Sequence, residues 1–394
     1  MPLRVAFLFG HLHRGGMQRA VSNVTRSLPA HIESFVAYFG TDNPGFDFRA
    51  TMVNLDVPGV LGSSLPRKLA NFAARVARVR RFVREHRVDV VVSMGEIANI
   101  VNVVGAAPRR ILSVRSAPVA SLSDSGAYAP VYASLRRLLY GRASAVVAVS
   151  RAAADELRER YAVPGGLIRV IPNLYDSAAI RSAGAEPLPP DLAWLEERTF
   201  VVAVGTLAAH KGQAELVRAM VEARRSLPSL ELVLVGDGEG GVALRALISK
   251  LGLDGAVHLV GFRDNPHAIV ARALAFALPS HFEGFPNALV EAMLCGIPVV
   301  ATDCATGPRE ILGDSEHGLL VPAIADAGED SVVRGLAGAI TELACQPARH
   351  AHFASRGATR AAEFDAPRVV GAWVRLLSGD AGRSEPQERG GRSV

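Results

Sequence analysis

The sequence predicts two doubly wound α/β domains that face each other across a cleft. Short β-branched runs alternate with longer amphipathic segments along the chain, as in parallel sheets covered by helices on both faces. At 394 residues the chain is too long for one ordinary hydrophobic core. A stretch rich in Pro and Gly at 176–198 interrupts the alternation, which places the boundary between the domains there.

The predicted strands are runs of almost continuous apolar residues, as expected of strands that are buried on both faces. Five precede the boundary, at 5–9, 88–93, 111–114, 145–149 and 167–171, and five follow it, at 200–204, 230–235, 257–260, 274–278 and 298–301. We expect an N-terminal domain over 1–180 and a C-terminal domain over 195–360. The end of the chain, 378–394, is rich in Gly, Ser, Arg and Glu and is predicted to be disordered.

Composition narrows the class of protein. Hydrophobic residues make up 49% and charged residues 21% of the chain, which excludes a disordered or fibrous protein. No run reaches the roughly 18 apolar residues of a membrane span, and the first residues do not fit a signal peptide. The three cysteines form no C-x-x-C pair and are expected to be buried thiols in a reducing compartment. We therefore expect a cytoplasmic protein that is soluble or peripheral.

The charge is unevenly distributed. Residues 1–180 contain 23 Arg and Lys against 12 Asp and Glu, a net of +11, whereas the remainder has a net of −6. Such a distribution indicates that the first half meets an anionic surface or a polyanion. The alternative is scattered solvated charge without a partner.

Ligands of open α/β sheets bind beyond the carboxyl ends of the strands, so the loops that follow the strands should carry the site. After the run at 274–278, Glu283 lies in a loop rich in Gly and Pro, and Glu291 lies eight positions later in a short helix that Asn287 is expected to cap. The start of this helix offers free N–H groups to a phosphate. The two carboxylates could then hold sugar and ribose hydroxyls. The alternative is a solvated Glu291 and a capping Glu283.

A second candidate segment turns at Gly205 after the run at 200–204. Lys211 stands at the mouth of this turn, where its ammonium could neutralise a diphosphate leaving group. The segment does not match a P-loop, and a plain surface lysine is the alternative.

The glycine pair Gly15 and Gly16 follows the first predicted strand and precedes a helix, so its backbone could approach a ligand closely. His11 and His13 stand in the same loop, without a third residue placed to complete a metal site. The segment at 236–241 satisfies G-x-G-x-x-G, but Asp237 and Glu239 would repel a pyrophosphate, so we interpret it as a strand-to-helix turn.

Two motifs are absent from the sequence. It contains no Asp-x-Asp pair of the kind that clamps a metal-bound nucleotide sugar, and no G-x-S-x-G elbow. We expect no metal, no cofactor and no nucleic-acid partner.

Together these segments resemble glycosyltransferase family 4, whose members are retaining enzymes with the GT-B fold. The E-x7-E motif formed by Glu283 and Glu291 carries the most specific match, and the likeness covers about residues 3–375. It continues through the segments 15–16, 140–150, 171–173, 235–238, 296–312 and 317–322. The resemblance implies a UDP-sugar or related donor and a glycan or lipid-linked acceptor of surface polysaccharide synthesis.

The resemblance also implies roles for single residues. Glu291 would hold the ribose, Glu283 would contact the transferred sugar, and Lys211 would balance the diphosphate. The remaining donor contacts would come from Gly15, Gly16, Thr206, Gly261, Phe262, Gly284, Phe285, Asn287 and Ala288. A helix over 361–377 would return to the first domain.

The sequence departs from the family pattern at two places. Thr206 stands where the family usually has an arginine, five positions before the lysine. Arg115 follows the run at 111–114, where many members carry a histidine. We place Arg115 and His13 on the acceptor side, with the diphosphate as the alternative role of Arg115. A nucleotide-sugar epimerase of similar fold and a degenerate binding protein without turnover are the alternative functions.

A basic helix is predicted over residues 67–87. Its apolar stripe is formed by Leu69, Phe72, Val76, Val79 and Val83, and eight basic residues surround the stripe with one acid, Glu85. We expect the stripe to pack inward while arginines such as Arg75, Arg78 and Arg81 face anionic lipid. The alternative is a solvated basic surface.

Overall fold

The structure is a computed structural model that describes residues 2–12, 15–40, 45–57, 64–105, 107–115 and 129–380. It contains two parallel sheets, each covered by helices. The first sheet has the strand order β3–β2–β1–β4–β5–β6–β7 and the second β10–β9–β8–β11–β12–β13. In the first sheet the chain adds β2 and β3 on one side of β1 and then continues with β4 on the other side. In the second sheet it does the same at β8 and β11. Such a reversal creates the crevice in which doubly wound sheets bind ligands.

The strands of the first sheet are β1 Leu3–Phe9, β2 Ile32–Tyr38, β3 Thr51–Asn54, β4 Val90–Met94, β5 Arg109–Val114, β6 Ala145–Ala148 and β7 Ile168–Val170. Those of the second are β8 Phe200–Val204, β9 Glu231–Val235, β10 Val257–Gly261, β11 Ala275–Leu278, β12 Val299–Thr302 and β13 Leu319–Val321. All ten predicted strands are confirmed, with bounds that differ by at most two residues.

The prediction missed β2, β3 and β13. Glu33 and Ser34 break the apolar run of β2, and Glu33 is held by Arg4 of the neighbouring β1 at 2.9 Å. β3 is a four-residue edge strand with a mostly exposed pattern, and β13 has three residues. Short or interrupted strands give too little apolar sequence to be recognised.

The helices connect the strands and cover both sheets. Around the first sheet they are α1 Gly16–Ser27, α2 Leu65–Glu85, α3 Glu96–Val104, α4 Ala129–Leu139 and α5 Arg151–Tyr161. The later helices are α6 Ser177–Ala185, α7 Gln213–Ser226, α8 Gly241–Lys250, α9 His267–Val270, α10 Asn287–Leu294, α11 Pro308–Leu312, α12 Ile324–Ala327, α13 Glu329–Cys345, α14 Pro347–Ala361 and α15 Ala366–Ser378. Short 3-10 turns cover Tyr140–Arg142, Gly165–Leu167, Pro190–Glu197, Ala209–Lys211 and Ala362–Phe364.

The stretch between the sheets is ordered. It contains α6 and the 3-10 turn Pro190–Glu197, so Pro and Gly there end helices without making the connection irregular. The domain bounds 1–180 and 195–360 stay a prediction. Of the tail predicted to be disordered, 381–394 lies outside the described residues.

The basic helix differs from its prediction in two side chains. Leu69, assigned to the apolar stripe, is 61% exposed in the first turns of α2. Arg75, assigned to the lipid-facing side, is buried with its guanidinium 4.9 Å from the ring centroid of Phe39. A cation over an aromatic face can replace an apolar residue at an inward position, which periodicity alone does not reveal.

The cysteines also differ from expectation. Cys304 is buried, Cys295 is partly buried, and Cys345 is exposed at the end of α13. The prediction of a buried thiol is therefore wrong for Cys345. Within the described part of the chain, no helix combines the length and apolar character needed to cross a membrane.

The last helix, α15, packs on the first sheet. Trp373 is fully buried and meets Phe7 of β1 edge to face at 6.5 Å between ring centroids. Arg109 of β5 donates a hydrogen bond from Nη2 to the carbonyl oxygen of Leu376 at 2.6 Å. The end of the described chain is thus fastened to the core of the first sheet.

We expect Trp373→Ala to lower the free energy of unfolding by about 3–5 kcal/mol, because it leaves a cavity at this contact. Urea unfolding measures the change. Trp194→Ala is the matched control, since Trp194 is the other tryptophan of the chain and is 38% exposed. Equal losses in the two variants would contradict the view that α15 is held by Trp373.

Candidate active site

The candidate site lies where the strand order of the second sheet reverses. β8 and β11 are neighbours, so the loops that follow them leave the sheet side by side. The backbone N–H of His281 in the second loop donates to the carbonyl oxygen of His210 in the first at 2.8 Å. The ring of His210 stacks on Phe282 with centroids 4.8 Å apart. Sequence segments 72 residues apart therefore form one surface.

An ion pair joins Lys211 and Glu283 on this surface. Lys211 Nζ donates to Glu283 Oε1 at 2.7 Å, and Ser280 Oγ donates to the same oxygen at 2.7 Å. The Lys211 side chain is 26% and the Glu283 side chain 11% exposed. The carboxylate is therefore shielded and fixed, while the ammonium can still reach solvent.

Glycine makes the approach of the two loops feasible. Gly212 has a φ of +68°, and a Cβ there would lie 1.9 Å from the carbonyl oxygen of Pro279. Any side chain at this position would separate the loops. Thr306 Oγ1 donates to the carbonyl oxygen of Glu283, which fixes the second loop from a third segment. The position of Glu283 follows from backbone contacts on both sides.

Asn287 begins α10 but does not cap it. Its side-chain oxygen accepts hydrogen bonds from Asn173 and from Tyr175 Oη, the latter at 2.8 Å. Its amide nitrogen donates to the carbonyl oxygen of Gly16 at 3.0 Å. The N-cap residue is Pro286. The capping prediction is wrong because three tertiary partners occupy the side chain, and these partners bring the starts of α1 and α10 together.

Glu291 is buried and paired with an arginine from the other domain. Its side chain is 6% exposed, and Arg19 Nη1 lies 2.8 Å from Oε1 and 2.7 Å from Oε2. The alternative of a solvated Glu291 is excluded. Sequence reasoning missed Arg19, which has no local signal beyond its place one turn after the glycine pair. Arg19 and Glu291 line a cavity of ≈ 380 Å³ together with polar residues of α1 and apolar residues of α6.

Other predicted donor residues surround these pairs. Gly284 and Phe285 are buried in the loop before α10, and Ala288 is partly buried in its first turn. Thr206 is exposed, and its carbonyl oxygen accepts a hydrogen bond from Gln213 at 2.9 Å. Gly15 and Gly16 lie at the start of α1. These residues lie at the carboxyl ends of the strands, where open α/β sheets bind their ligands.

Two of the predicted donor contacts, Gly261 and Phe262, lie at the end of β10 and in the loop that follows it. Gly261 has a φ of +75°, and Phe262 is 53% exposed. Arg263 turns away toward Asp191, with which it forms an ion pair at 2.8 Å. Phe262 is therefore the residue of this loop that presents an open apolar surface.

The glycine-rich segment after β9 is a strand-to-helix turn that ends where α8 begins. A Cβ at Gly236 would lie 1.9 Å from the carbonyl oxygen of Gly205, and one at Gly238 would lie 2.5 Å from that of Leu207. These glycines are required because the turn packs against the loop after β8. The interpretation as a turn agrees with this packing.

The two residues assigned to the acceptor side differ in what the structure shows. His13 lies outside the described residues. Arg115 follows β5 directly and is partly buried near Tyr175. Among the described residues, no group of three or more His, Cys, Asp or Glu side chains could hold a metal ion.

We expect the Arg19–Glu291 pair to show strong coupling. Arg19→Ala leaves the buried Glu291 without its cation and should lower the free energy of unfolding by about 1–3 kcal/mol. The double variant Arg19→Ala/Glu291→Ala should lose less than the sum of the single variants, as urea unfolding of all three would show. Arg81→Ala, which removes an exposed pair with Glu85, should change nothing measurable. Strictly additive losses would contradict the coupling.

Two family profiles match the chain in succession. The profile described as Glycosyltransferase Family 4 matches residues 14–179, and the one described as Glycosyl transferases group 1 matches residues 185–341. The first match contains Gly15, Gly16 and Arg19. The second contains Lys211, Glu283 and Glu291.

Two curated relatives illustrate the similarity. An uncharacterized glycosyltransferase of Methanocaldococcus jannaschii is 28% identical over 249 residues, which are 60% of this chain and 61% of the relative. The N-acetylgalactosamine-N,N'-diacetylbacillosaminyl-diphospho-undecaprenol 4-alpha-N-acetylgalactosaminyltransferase of Campylobacter jejuni is 33% identical over 242 residues, 61% of this chain and 62% of the relative. The match thus spans about three fifths of the length of these two relatives.

Among solved structures, HepE of Anabaena in complex with UDP superposes on 96% of this chain and 100% of its own, with a TM-score of 0.77 and 21% identity. This likeness establishes the GT-B fold, in which two α/β domains face each other across a cleft. The two successive profile matches, to residues 14–179 and 185–341, show that the chain belongs to the group 1 glycosyltransferases of family 4.

Proposed function

We propose that the protein transfers a hexose or N-acetylhexosamine from a nucleotide-diphosphate sugar, with UDP as the nucleotide, to a glycan or lipid-linked acceptor in surface polysaccharide synthesis. The observation that carries the proposal is the Lys211–Glu283 pair at the strand-order reversal, with Glu291 in the second turn of the adjoining helix. This arrangement offers one cation to phosphates and two carboxylates to hydroxyl groups.

The donor would lie along the start of α10. Its diphosphate would meet the N–H groups of that helix and the ammonium of Lys211, since a helix N-terminus favours negative charge. Glu283 would accept hydrogen bonds from the transferred sugar. Glu291 would accept them from the ribose, for which the cavity of ≈ 380 Å³ beside it leaves room.

Sugar transfer requires mainly that the site position the donor and stabilise the leaving diphosphate. The transition state of sugar transfer is oxocarbenium-like, and the leaving diphosphate gains negative charge that Lys211 can stabilise. In this proposal no metal takes part, because the ammonium and the helix N-terminus do the work of a metal ion. Retention of configuration belongs to the proposal as the stereochemistry of the family that the sequence resembles.

The proposed donor and acceptor classes draw on the relatives. The Campylobacter relative carries N-acetylgalactosamine and a diphospho-undecaprenol acceptor in its name, and HepE was solved with UDP. We extend both classes to this chain. The two alternative functions predict different products. A nucleotide-sugar epimerase would convert the donor when no acceptor is present, whereas a binding protein without turnover would leave the donor unchanged even when an acceptor is present.

We expect Glu291→Ala to raise the donor KM and to lower kcat/KM about ten- to a hundredfold, because hydrogen bonds to a charged group are lost. Glu283→Ala should lower kcat more than donor affinity. Initial rates with radiolabelled UDP-N-acetylhexosamine and UDP-hexose measure both effects. Glu239→Ala is the control, since Glu239 is an exposed carboxylate on the turn after β9. Wild-type kinetics in the Glu283 and Glu291 variants would remove the basis of the proposal.

We expect transferase activity to be retained in EDTA, because the proposal gives no role to a metal ion. The variant Lys211→Ala should lose most of its activity, since the ammonium that stabilises the leaving diphosphate is removed. Initial rates measured in the presence of chelator test both expectations. Lys250→Ala is the matched control, because Lys250 is an exposed lysine at the end of α8. If chelator abolished activity and Mn²⁺ restored it, the role given to Lys211 would be wrong.

We also propose that the protein works at the cytoplasmic face of the membrane, with α2 against anionic lipid. Arg67, Arg78 and Arg81 are exposed, and Leu69 is 61% exposed beside them. Basic side chains around an exposed apolar residue suit an anionic lipid surface.

We expect the protein to float with vesicles that contain phosphatidylglycerol at low salt and to dissociate at high salt. The variant Arg67→Glu/Arg78→Glu/Arg81→Glu should not float but should still bind UDP. The control Arg225→Glu/Arg245→Glu/Arg334→Glu makes the same change in charge at exposed positions of the second half and should float normally. Failure of the wild type to float at low salt would contradict the membrane proposal.

A further inference from the structure

Arg115 is a cation with no anion beside it in the described part of the chain. The residue follows β5 directly, its side chain is partly buried, and its Nη1 is enclosed without a hydrogen-bond partner. No carboxylate of the described residues forms an ion pair with it. Burial lowers the pKa of Arg115 to about 10, so the guanidinium is still charged at neutral pH.

Arg136 shows how the same chain holds another buried arginine. Its guanidinium lies 2.6 Å from the carboxylate of Glu96, and its side chain is 4% exposed. An enclosed charge without such a partner destabilises a fold, whereas a bound anion would compensate for it. Arg115 therefore has the property expected of a residue whose counter-ion is a ligand.

The surroundings of Arg115 point to the place of that ligand. The guanidinium lies close enough to Tyr175 for each residue to influence the pKa of the other. Burial raises the pKa of Tyr175 well above its ordinary value, so the tyrosine supplies a neutral hydroxyl. Tyr175 Oη donates to Asn287, the first residue of α10, at 2.8 Å. Arg115, at the carboxyl end of β5, thus lies in the neighbourhood of a tyrosine that contacts the first residue of α10.

In the loops after β8 and β11, residues 205–212 and 279–286, Lys211 is the only Lys or Arg. Lys211 shares its charge with Glu283, and Thr206 contributes none. A diphosphate carries at least two negative charges, and charge that develops in the transition state must be met by fixed cations and dipoles. A second cation from across the cleft would balance the group.

We propose that Arg115 binds the diphosphate of the donor from the first domain and supplies the positive charge that Thr206 lacks. This inference rests on the proposed function. It makes Arg115 a donor-binding residue, which selects the diphosphate over the acceptor among the two roles that the sequence left open for it. Because the cation would come from the opposite wall, the diphosphate itself would hold the two domains together.

The test compares UDP with uridine in titration calorimetry. Arg115→Ala should weaken UDP about ten- to a hundredfold, the effect of losing a charge-assisted contact, and should change uridine less than about twofold. Adding Thr206→Arg to Arg115→Ala should restore most of the UDP affinity. Arg110→Ala is the matched control, since Arg110 lies on the same strand and donates to the carbonyl oxygen of Val103 at 2.9 Å. Its UDP affinity should equal that of the wild type.

Three results would overturn the inference. They are unchanged UDP affinity in Arg115→Ala, an equal loss for UDP and uridine, and a rise in the acceptor KM while UDP affinity stays the same. In each of these three results the wild-type protein still binds UDP, so the result contradicts the role of Arg115 but not the proposed function. A wild type that binds none of UDP, GDP and ADP would instead overturn the proposed function and this inference with it.

Discussion

The ion pair between Arg19 Nη1 and both carboxylate oxygens of Glu291 joins the two halves of the molecule. Arg19 lies in the first turn of α1 and Glu291 in the second turn of α10, so the pair holds the starts of both helices at the cleft. Asn287 reinforces the contact through the carbonyl oxygen of Gly16. Glu310 adds a third link, because its carboxylate accepts the backbone N–H of Arg151 at the start of α5 at 2.7 Å. In each link a group of the second domain meets the beginning of a helix of the first.

Both carboxylates of the E-x7-E motif hold a cation in this structure. Such pairing keeps buried carboxylates charged and oriented in a medium where an isolated charge would be strongly unfavourable. A bound donor would exchange these partners, with phosphates drawing Lys211 away from Glu283 and ribose hydroxyls competing with Arg19 for Glu291. In the proposed function each exchange replaces one polar contact with another, so that the walls of the site would not have to rearrange greatly.

The fold could be predicted well, and the candidate site in part. Strands buried on both faces leave continuous apolar runs, so the strand pattern is visible in the sequence. The meeting of Lys211 and Glu283 depends on β8 and β11 being neighbours, which no local pattern specifies. The role of Arg19 could not be predicted from the sequence, because its partner Glu291 belongs to the other domain. Asn287 was misassigned as a cap because asparagine at a helix start is typical of one, yet its tertiary contacts dominate.

Two glycine-rich turns illustrate why a motif alone does not identify a phosphate site. The backbone at Gly236 faces the carbonyl oxygen of Gly205 so closely that even a methyl group would not fit. That turn uses its glycines for packing within the second domain. At Gly16 the nearest atom to an added Cβ would be the Asn287 amide nitrogen at 3.1 Å, at the junction of the two domains. Gly16 therefore brings backbone to the cleft, where the proposed function places the donor, whereas Gly236 serves packing within one domain.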